Sequence, residues 1–334
     1  MLVYQNIEFH NVEEFHKGER GLLLYRFPKK VTDTLNPNGK TQSTGPTTGV
    51  ELRFVPKSEV TVRIWCAEED ATVSRPAELY LGGFQSGWTW LSAIGLMPGE
   101  NVIRIGIPEN MNYLEERSKE NCFAWSPWVF RLVLPAGTNE FLSAEGDFRA
   151  PLPEEKPKKK ILFYGSSITH GSLSLLPGMT YVNQVAEELN AEVTNKGLAG
   201  GCHLERSVSD WIAEQKDFDF AVCELGSNVF RAIPDGEFIA RIEYLIKTYR
   251  AAFPEKSLYL IDDLILEPAC EPCREIVRKI VEETDDEKVI YLNGFELLEG
   301  RRSVAADFTH PTAMGHVRLA KNLVNAIRLH GDGQ

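Results

Sequence analysis

The sequence predicts two architectures in series, an all-β sandwich followed by a doubly wound α/β sandwich with a parallel sheet. Three observations carry this. At 334 residues, 43% of them hydrophobic, the chain is too long for one average domain and comfortable for two, each with a sizeable core. Its first half holds short apolar–polar alternations separated by Pro, Gly and Asn clusters. In its second half near-continuous apolar runs alternate with stretches of helical period.

In the first half, strand character falls at 22–27, 50–55, 60–66, 77–84, 102–107 and 129–134. Val60-Thr61-Val62-Arg63-Ile64-Trp65 shows the period of two of a half-buried strand. Residues 1–150 therefore read as a jelly-roll-like β-sandwich, an accessory domain. Two segments read as loops concentrate aromatics, 84–90 with Trp88 and Trp90, and the long 111–128 with Tyr113, Phe123, Trp125 and Trp128. Aromatic faces suit sugar rings or aryl groups, which makes Trp125 and Trp128 candidate substrate contacts, with core packing as the alternative use. Residues 151–160, rich in Pro, Glu and Lys without apolar period, read as a stiff linker.

From residue 161 onward, strand-like runs at 161–164, 191–195, 220–225, 257–264 and 289–292 alternate with helical runs at 179–189, 204–214, 238–252, 270–283 and 312–329. Tyr181, Val185, Glu188 and Leu189 mark the stripe of the first long helix. Parallel strands covered on both faces must be apolar throughout, so residues 161–334 read as a flavodoxin-like α/β/α sandwich. No internal repeat is evident.

The net charge of −12, with acidic residues in both halves, argues against nucleic acid or anionic membranes as partners and favours small neutral or weakly polar substrates. The N-terminal stretch has neither the basic start nor the apolar run of a secretory signal, so a cytoplasmic address is expected, or a secreted one where a signal has been removed. Six scattered cysteines, several inside apolar runs, suit buried thiols in a reducing compartment. Cys270 and Cys273 form a C-x-x-C without a second pair at zinc-site spacing, so neither metal nor redox cofactor is expected.

In an open parallel sheet, ligands gather at the carboxyl ends of the strands. After the first strand come Gly165, Ser166 and Ser167, a tight turn that suits a nucleophile or a helix cap. After the second comes Asn195-Lys-Gly197-Leu-Ala-Gly200-Gly201, whose main-chain N–H groups suit a developing negative charge. The third is followed by Gly226-Ser227-Asn228, a carboxamide at a strand end, and beyond the fifth stands Asp307-Phe-Thr-His310-Pro311. Three-residue spacing lets the Asp307 carboxylate accept from His310 Nδ1–H and leaves Nε2 open to take a proton. The same residues also suit a helix entrance, Asp as cap and Pro in the first turn.

These four blocks, in this order, resemble the SGNH hydrolases, or GDSL esterases and acyltransferases, over roughly residues 160–330. The resemblance implies Ser167 as nucleophile, His310 as general base and Asp307 as its orienting acid. It implies an oxyanion hole of the Ser167 N–H, the Gly200 N–H and the Asn228 side chain, with Ser166 as a candidate substrate contact. Two departures bear on subfamily rather than on the triad: Ser166 stands where the family usually has Asp, and Val229 where an Asp often follows the Asn. A β-sandwich ahead of the catalytic domain is similar to certain carbohydrate acetyl esterases and to at least one kind of acyltransferase. No G-x-S-x-G elbow or H-E-x-x-H cluster occurs, and Gly165 to Gly171 is a poor phosphate loop, with its second glycine late and Ser172 in place of Lys. His170, His203 and His316 read as substrate-shell or solvent residues. The expected function is an esterase that removes small, acetyl-like groups from a hydroxylated substrate, a sugar or glycoside. The alternatives are an acyltransferase to a small-molecule hydroxyl, or a carbohydrate-binding protein with an inactive hydrolase domain.

Overall fold

The computed structural model describes residues 2–67, 75–86, 93–230, 232–265 and 267–333. They cluster into two compact units that interleave along the chain. The first comprises Met1–Lys29, Ser43–Lys158 and Leu176–Gly178, and the second Lys30–Gln42, Lys159–Leu175 and Met179–Gln334.

The first unit is built from two antiparallel sheets. One runs in the order Leu2–Tyr4, Ile7–His10, Glu51–Pro56, Phe130–Val133, Arg75–Leu81 and Phe84–Gln85, and the other in the order Gly99–Ile105, Val60–Cys66, Asn139–Glu145, Leu22–Tyr25 and Glu14–Lys17. The alternation read in Val60–Cys66 is realised, with Val60, Val62 and Ile64 fully buried and the residues between them partly exposed. Phe9, Phe54 and Phe130 from one sheet share a core with Leu24, Ile64 and Phe141 from the other. Each such burial contributes about 1.5–3 kcal/mol.

Within 111–128, expected as an aromatic loop, Met111–Glu120 is a helix. Its sequence is rich in helix formers, Glu115 pairs with Lys119 one turn on, and Met111 and Leu114 turn toward the sandwich core. Ile7–His10 is a further strand, and all four of its residues are buried, the polar Glu8 and His10 included. Glu8 is neutralised there by Arg53 at 3.0 Å and Lys156 at 2.6 Å.

In the second unit five parallel strands form one sheet: β1 (Lys160–Gly165), β2 (Glu192–Gly197), β3 (Phe220–Glu224), β4 (Leu258–Ile261) and β5 (Val289–Leu292), in the order β2-β1-β3-β4-β5. This is the doubly wound order with a switch point beside β1, where ligands bind. After β1 comes a one-turn helix, α1 (Ser167–His170), and the longer helices are α2 (Tyr181–Glu188), α3 (Arg206–Glu214), α4 (Asp235–Ala252), α5 (Glu271–Thr284) and α6 (Ala313–Leu329). Ile161, Phe163, Phe220, Val222, Tyr259 and Ile261 pack on one sheet face against Val182 and Val185 of α2 and Leu319 and Leu323 of α6. Among the described residues no helix is long and apolar enough to cross a membrane.

Candidate active site

Strand β1 ends at Gly165 because nothing larger fits. A Cβ there would lie 2.1 Å from Thr169 Oγ1 and 2.7 Å from Glu224 Oε2. The chain then turns into α1, with Ser166 as its N-cap: Ser166 Oγ accepts from the Ile168 N–H at 3.2 Å, while the Ser166 N–H donates to Glu224 Oε2 at 2.6 Å. Ser166 was a candidate substrate contact. It is fully buried, with its hydroxyl engaged in the cap. Ser167, the next residue, lies 2.8 Å through Oγ from His310 Nε2.

His310 is aimed by a tight loop rather than by a helix. Asp307 Oδ1 accepts from the main-chain N–H groups of Thr309 and His310, each at 3.0 Å, and Oδ2 lies 2.7 Å from His310 Nδ1. Hydrogen bonds from the His310 side chain first, then from its main chain, bring the Asp307 carboxyl down to about 2, so it is ionised at neutral pH. An ionised acceptor at Nδ1 places the neutral imidazole's proton there and leaves the Nε2 lone pair toward Ser167. Phe308 sits in the left-handed region at φ +54°, and a bridge between Val304 and Pro311 closes the loop. The helix entrance considered for Asp307 falls later, since α6 begins at Ala313 with Thr312 as its cap.

The ends of β1, β2 and β3 are laced together. The Leu198 N–H donates to Gly165 O at 2.8 Å, and the Cys202 N–H donates to Asn228 Oδ1 at 3.1 Å. Because the Asn228 carbonyl is the accepting end, its NH2 is the end left available as a donor. Gly200 adopts φ +65°, and neither its N–H nor that of Ser167 has an acceptor among the described residues. A segment distant in sequence steadies this stretch: Asn38 Nδ2 donates to Gly200 O at 3.1 Å, and Asn36 Nδ2 to Gly201 O at 2.9 Å and Glu205 Oε1 at 2.8 Å.

Sequence reasoning assigned no role to Glu224, although a lone carboxylate closing the apolar run Phe-Ala-Val-Cys was a visible signal. It is fully buried and accepts from Ser166, Thr169 and Ser227. His316, expected near substrate or solvent, is a buried strut instead. Its Nδ1 accepts from the Tyr181 N–H at 3.2 Å and its Nε2–H donates to Ser172 O at 2.9 Å, and burial lowers its pKa to about 4. His170 is buried as well, while half-buried His203 bonds to the Asn228 main chain.

Trp125 and Trp128 belong to the packing of the first unit. Trp125 is buried, and the Arg53 and Arg131 guanidinium groups lie over its ring at 4.7 and 4.3 Å. These arginines also hold Glu51: burial would raise its carboxyl, but Arg131 and Arg53 keep it far below the usual range. Trp128 donates through Nε1 to Glu115. With Trp125 so covered, the expected aromatic platform is core at that position. Trp88 and Trp90 lie outside the described residues. The C-x-x-C thiols are buried, and burial pushes Cys270 up to about 12 and Cys273 to about 11.

Residues 158–328, just over half of the chain, match the GDSL-like lipase/acylhydrolase family. The chain belongs to this family. No curated protein sequence matches it significantly. Among solved structures it is similar to a salicylyl-acyltransferase from a tetracycline biosynthetic pathway, at 18% identity over 98% of this chain and 95% of that one, with a TM-score of 0.77. It is also similar to a family two carbohydrate esterase from Clostridium thermocellum solved with cellohexaose, at 17% identity over 85% and 93% of the two chains, TM-score 0.58. An acetyl xylan esterase from the rumen bacterium Butyrivibrio proteoclasticus aligns at 15% identity over 100% and 98%, TM-score 0.55. At such identities the likeness speaks for a shared fold.

Proposed function

We propose that this GDSL-family member is a serine esterase that removes small, acetyl-like acyl groups from a hydroxylated substrate, a sugar or glycoside, through an acyl-enzyme on Ser167. The observation that carries the reading is the aligned trio in which Ser167 Oγ lies 2.8 Å from His310 Nε2 and His310 Nδ1 lies 2.7 Å from Asp307. In this reading Nε2 takes the Ser167 proton as Oγ attacks the ester carbonyl. The N–H groups of Ser167 and Gly200 and the Asn228 amide receive the negative charge of the tetrahedral intermediate. His310 then protonates the leaving alcohol, and water activated by the same imidazole releases the acid.

Transfer of the acyl group to a second hydroxyl uses the same site. The extended likeness to a salicylyl-acyltransferase favours keeping this reading beside hydrolysis. The test is fluorophosphonate labelling with peptide mapping, paired with hydrolysis of p-nitrophenyl acetate. Labelling at Ser167, lost in Ser167→Ala together with the acyl-enzyme burst, is the expected result. No label and no burst would favour a carbohydrate-binding protein without turnover, and a label on another serine would overturn the assignment. Product analysis with a competing alcohol then separates hydrolysis from transfer.

A further inference from the structure

Behind the nucleophile turn a single hydroxyl stands between two buried carboxyl groups. Ser227 Oγ lies 2.6 Å from Glu224 Oε1 and 2.8 Å from Asp263 Oδ1, and both acids are fully buried. Each contact is hydrogen-bond length and each needs a hydrogen between its oxygens. A serine hydroxyl has one, and an ionised carboxylate has none. Two ionised carboxylates would therefore leave one of these oxygen pairs in bare contact, with two like charges sharing one buried site.

The geometry points to a proton held on Asp263, donated through Ser227 Oγ to an ionised Glu224, and to this relay as the device that sets the nucleophile turn and the Asn228 loop in register. The assignment to Asp263 follows from what each acid's other oxygen does. Glu224 Oε2 accepts from the Ser166 N–H at 2.6 Å and from Thr169 Oγ1 at 3.2 Å, a setting that favours negative charge. Asp263 Oδ2 is buried and meets no N–H or O–H donor among the described residues, only the weakly donating Cys270 thiol near its carboxyl, which is far less costly for the carbonyl oxygen of a neutral acid than for a carboxylate. Asp263 Oδ1 also accepts from the Ile265 N–H at 2.9 Å, which a hydroxyl oxygen can do while donating to Ser227.

The surroundings agree. Besides Glu224 on β3, Asp263 is faced by Cys270, Cys273 and Arg274, and its neighbour Asp262 is turned away to Tyr291 and the Gly294 N–H. Arg274 directs its donors to the main-chain oxygens of Asp263 and Ile265 rather than to the Asp263 carboxyl. Burial, reinforced by the Glu224 charge, raises the Asp263 carboxyl to about 7 against the opposing pull of the Ile265 N–H, Ser227 and Arg274. The proton is thus held below pH 7, half lost near it and gone on the alkaline side. Losing it sets two charges against one hydroxyl between the residue before Ser167 and the residue before Asn228.

Glu224, Ser227 and Asp263 are positioning residues, and their effect on rate rests on the proposed role of Ser167. The presence of the proton does not. In wild-type protein carrying 13C-labelled aspartate carboxyls, one resonance is expected to titrate near 7, about three pH units above an ordinary aspartate, and to vanish in Asp263→Asn. Should that variant fail to fold, Asp262→Asn, which leaves this resonance in place, completes the assignment. In parallel, kcat of the wild type is expected to fall at least tenfold on the alkaline side with little change in KM, and this limb is expected to be absent in Asp263→Asn, whose NH2, turned toward Ser227, donates there without titrating while giving up the bond from the Ile265 N–H. Burial raises Asp262 as well, to about 6, so a second, lower resonance is expected to disappear in Asp262→Asn; no aspartate titrating near 7, or loss of the resonance near 7 in Asp262→Asn, would overturn the inference even where fluorophosphonate labels Ser167. An elevated resonance without labelling at Ser167 would leave the proton assigned and sink the esterase reading instead.

Discussion

His316 joins the fold to pH. It bridges the main chain of α2 at Tyr181 to Ser172, just beyond the one-turn helix α1, and both bonds require the neutral ring with its proton on Nε2. Burial is the main cause that lowers its pKa from 6.5 to about 4, with the nearby His310 acting the same way and the bond to Ser172 opposing. In the unfolded chain it titrates near 6.5, so between these values the unfolded state binds the extra proton and stability rises with pH. The contribution is complete above the unfolded value and is lost as the pH falls toward 4. A difference of about 2.5 pH units corresponds to about 3 kcal/mol in total, of which about 2 kcal/mol is gone by pH 5.

The perturbation is His316→Gln, which can make similar bonds but does not titrate. Urea unfolding followed by circular dichroism at pH 7 and pH 5 reads the free energies. At pH 7 the variant is expected to be less stable, by about 1–3 kcal/mol for imperfect replacement of a buried, doubly bonded ring. Between pH 7 and pH 5 the wild type is expected to lose about 2 kcal/mol more than the variant, so the two lines converge. Because other histidines titrate in both proteins, only the difference between the slopes counts. Parallel slopes would refute the reasoning, since they would mean that His316 takes up its proton equally in the folded and unfolded chains.

Replacing Asp307 by Asn is expected to reduce kcat by two to four orders of magnitude, because the amide misdirects the imidazole tautomer; a loss under tenfold would show that the Asp307 contact is dispensable. Asn228→Ala, which deletes a single donor, is expected to lower kcat about a hundred- to thousandfold with KM little changed, and a pure KM effect would assign it to ground-state binding. Ser166→Ala removes a helix cap and is expected to cost about 1 kcal/mol of stability while the enzyme still labels at Ser167. Loss of labelling in a folded Ser166→Ala protein would make Ser166 part of the chemistry. Thiol alkylation of the native protein is expected to mark exposed Cys122 and to spare the five buried cysteines until urea is added; early modification of Cys270 or Cys273 would contradict their burial and raised pKa values.

The α/β half was legible because its physics is written locally. Strands buried on both faces must be apolar throughout, and Ile161 to Tyr164 and Phe220 to Cys223 are, so the sheet and its carboxyl edge could be read before any contact was known. The β-rich half was legible only where one face is wet, as in Val60–Cys66. Ile7–His10 failed because Glu8 looks like a surface residue in sequence, and its burial is offset by Arg53 and Lys156, 45 and 148 residues away. The helix at Met111–Glu120 failed for the opposite reason. Its local signals are present, but the aromatics of the longer stretch 111–128 suit ligands equally well, whereas the ring of Trp125 lies beneath two arginines.

The residues of the proposed triad were legible because each acts at the end of an element, where the sequence changes texture. What surrounds them was not, because positioning is done by partners with no sequence spacing to Ser167. Glu224 lies 58 residues from the Ser166 N–H that it accepts, and Asn38 lies 162 residues from Gly200. Glu224 also explains a departure from the common motif. With a buried carboxyl group already receiving the Ser166 N–H, and Ser166 Oγ already accepting from Ile168, the position before Ser167 has its cap, and a second carboxyl group there would stand close to Glu224. Ser166→Asp, the change toward the commoner motif, is therefore expected to destabilise this chain by about 1–3 kcal/mol in urea unfolding, with the deficit shrinking when Ser166→Asp is combined with Glu224→Gln. A destabilisation unchanged by the added Glu224→Gln would show that space, not charge, excludes the acid.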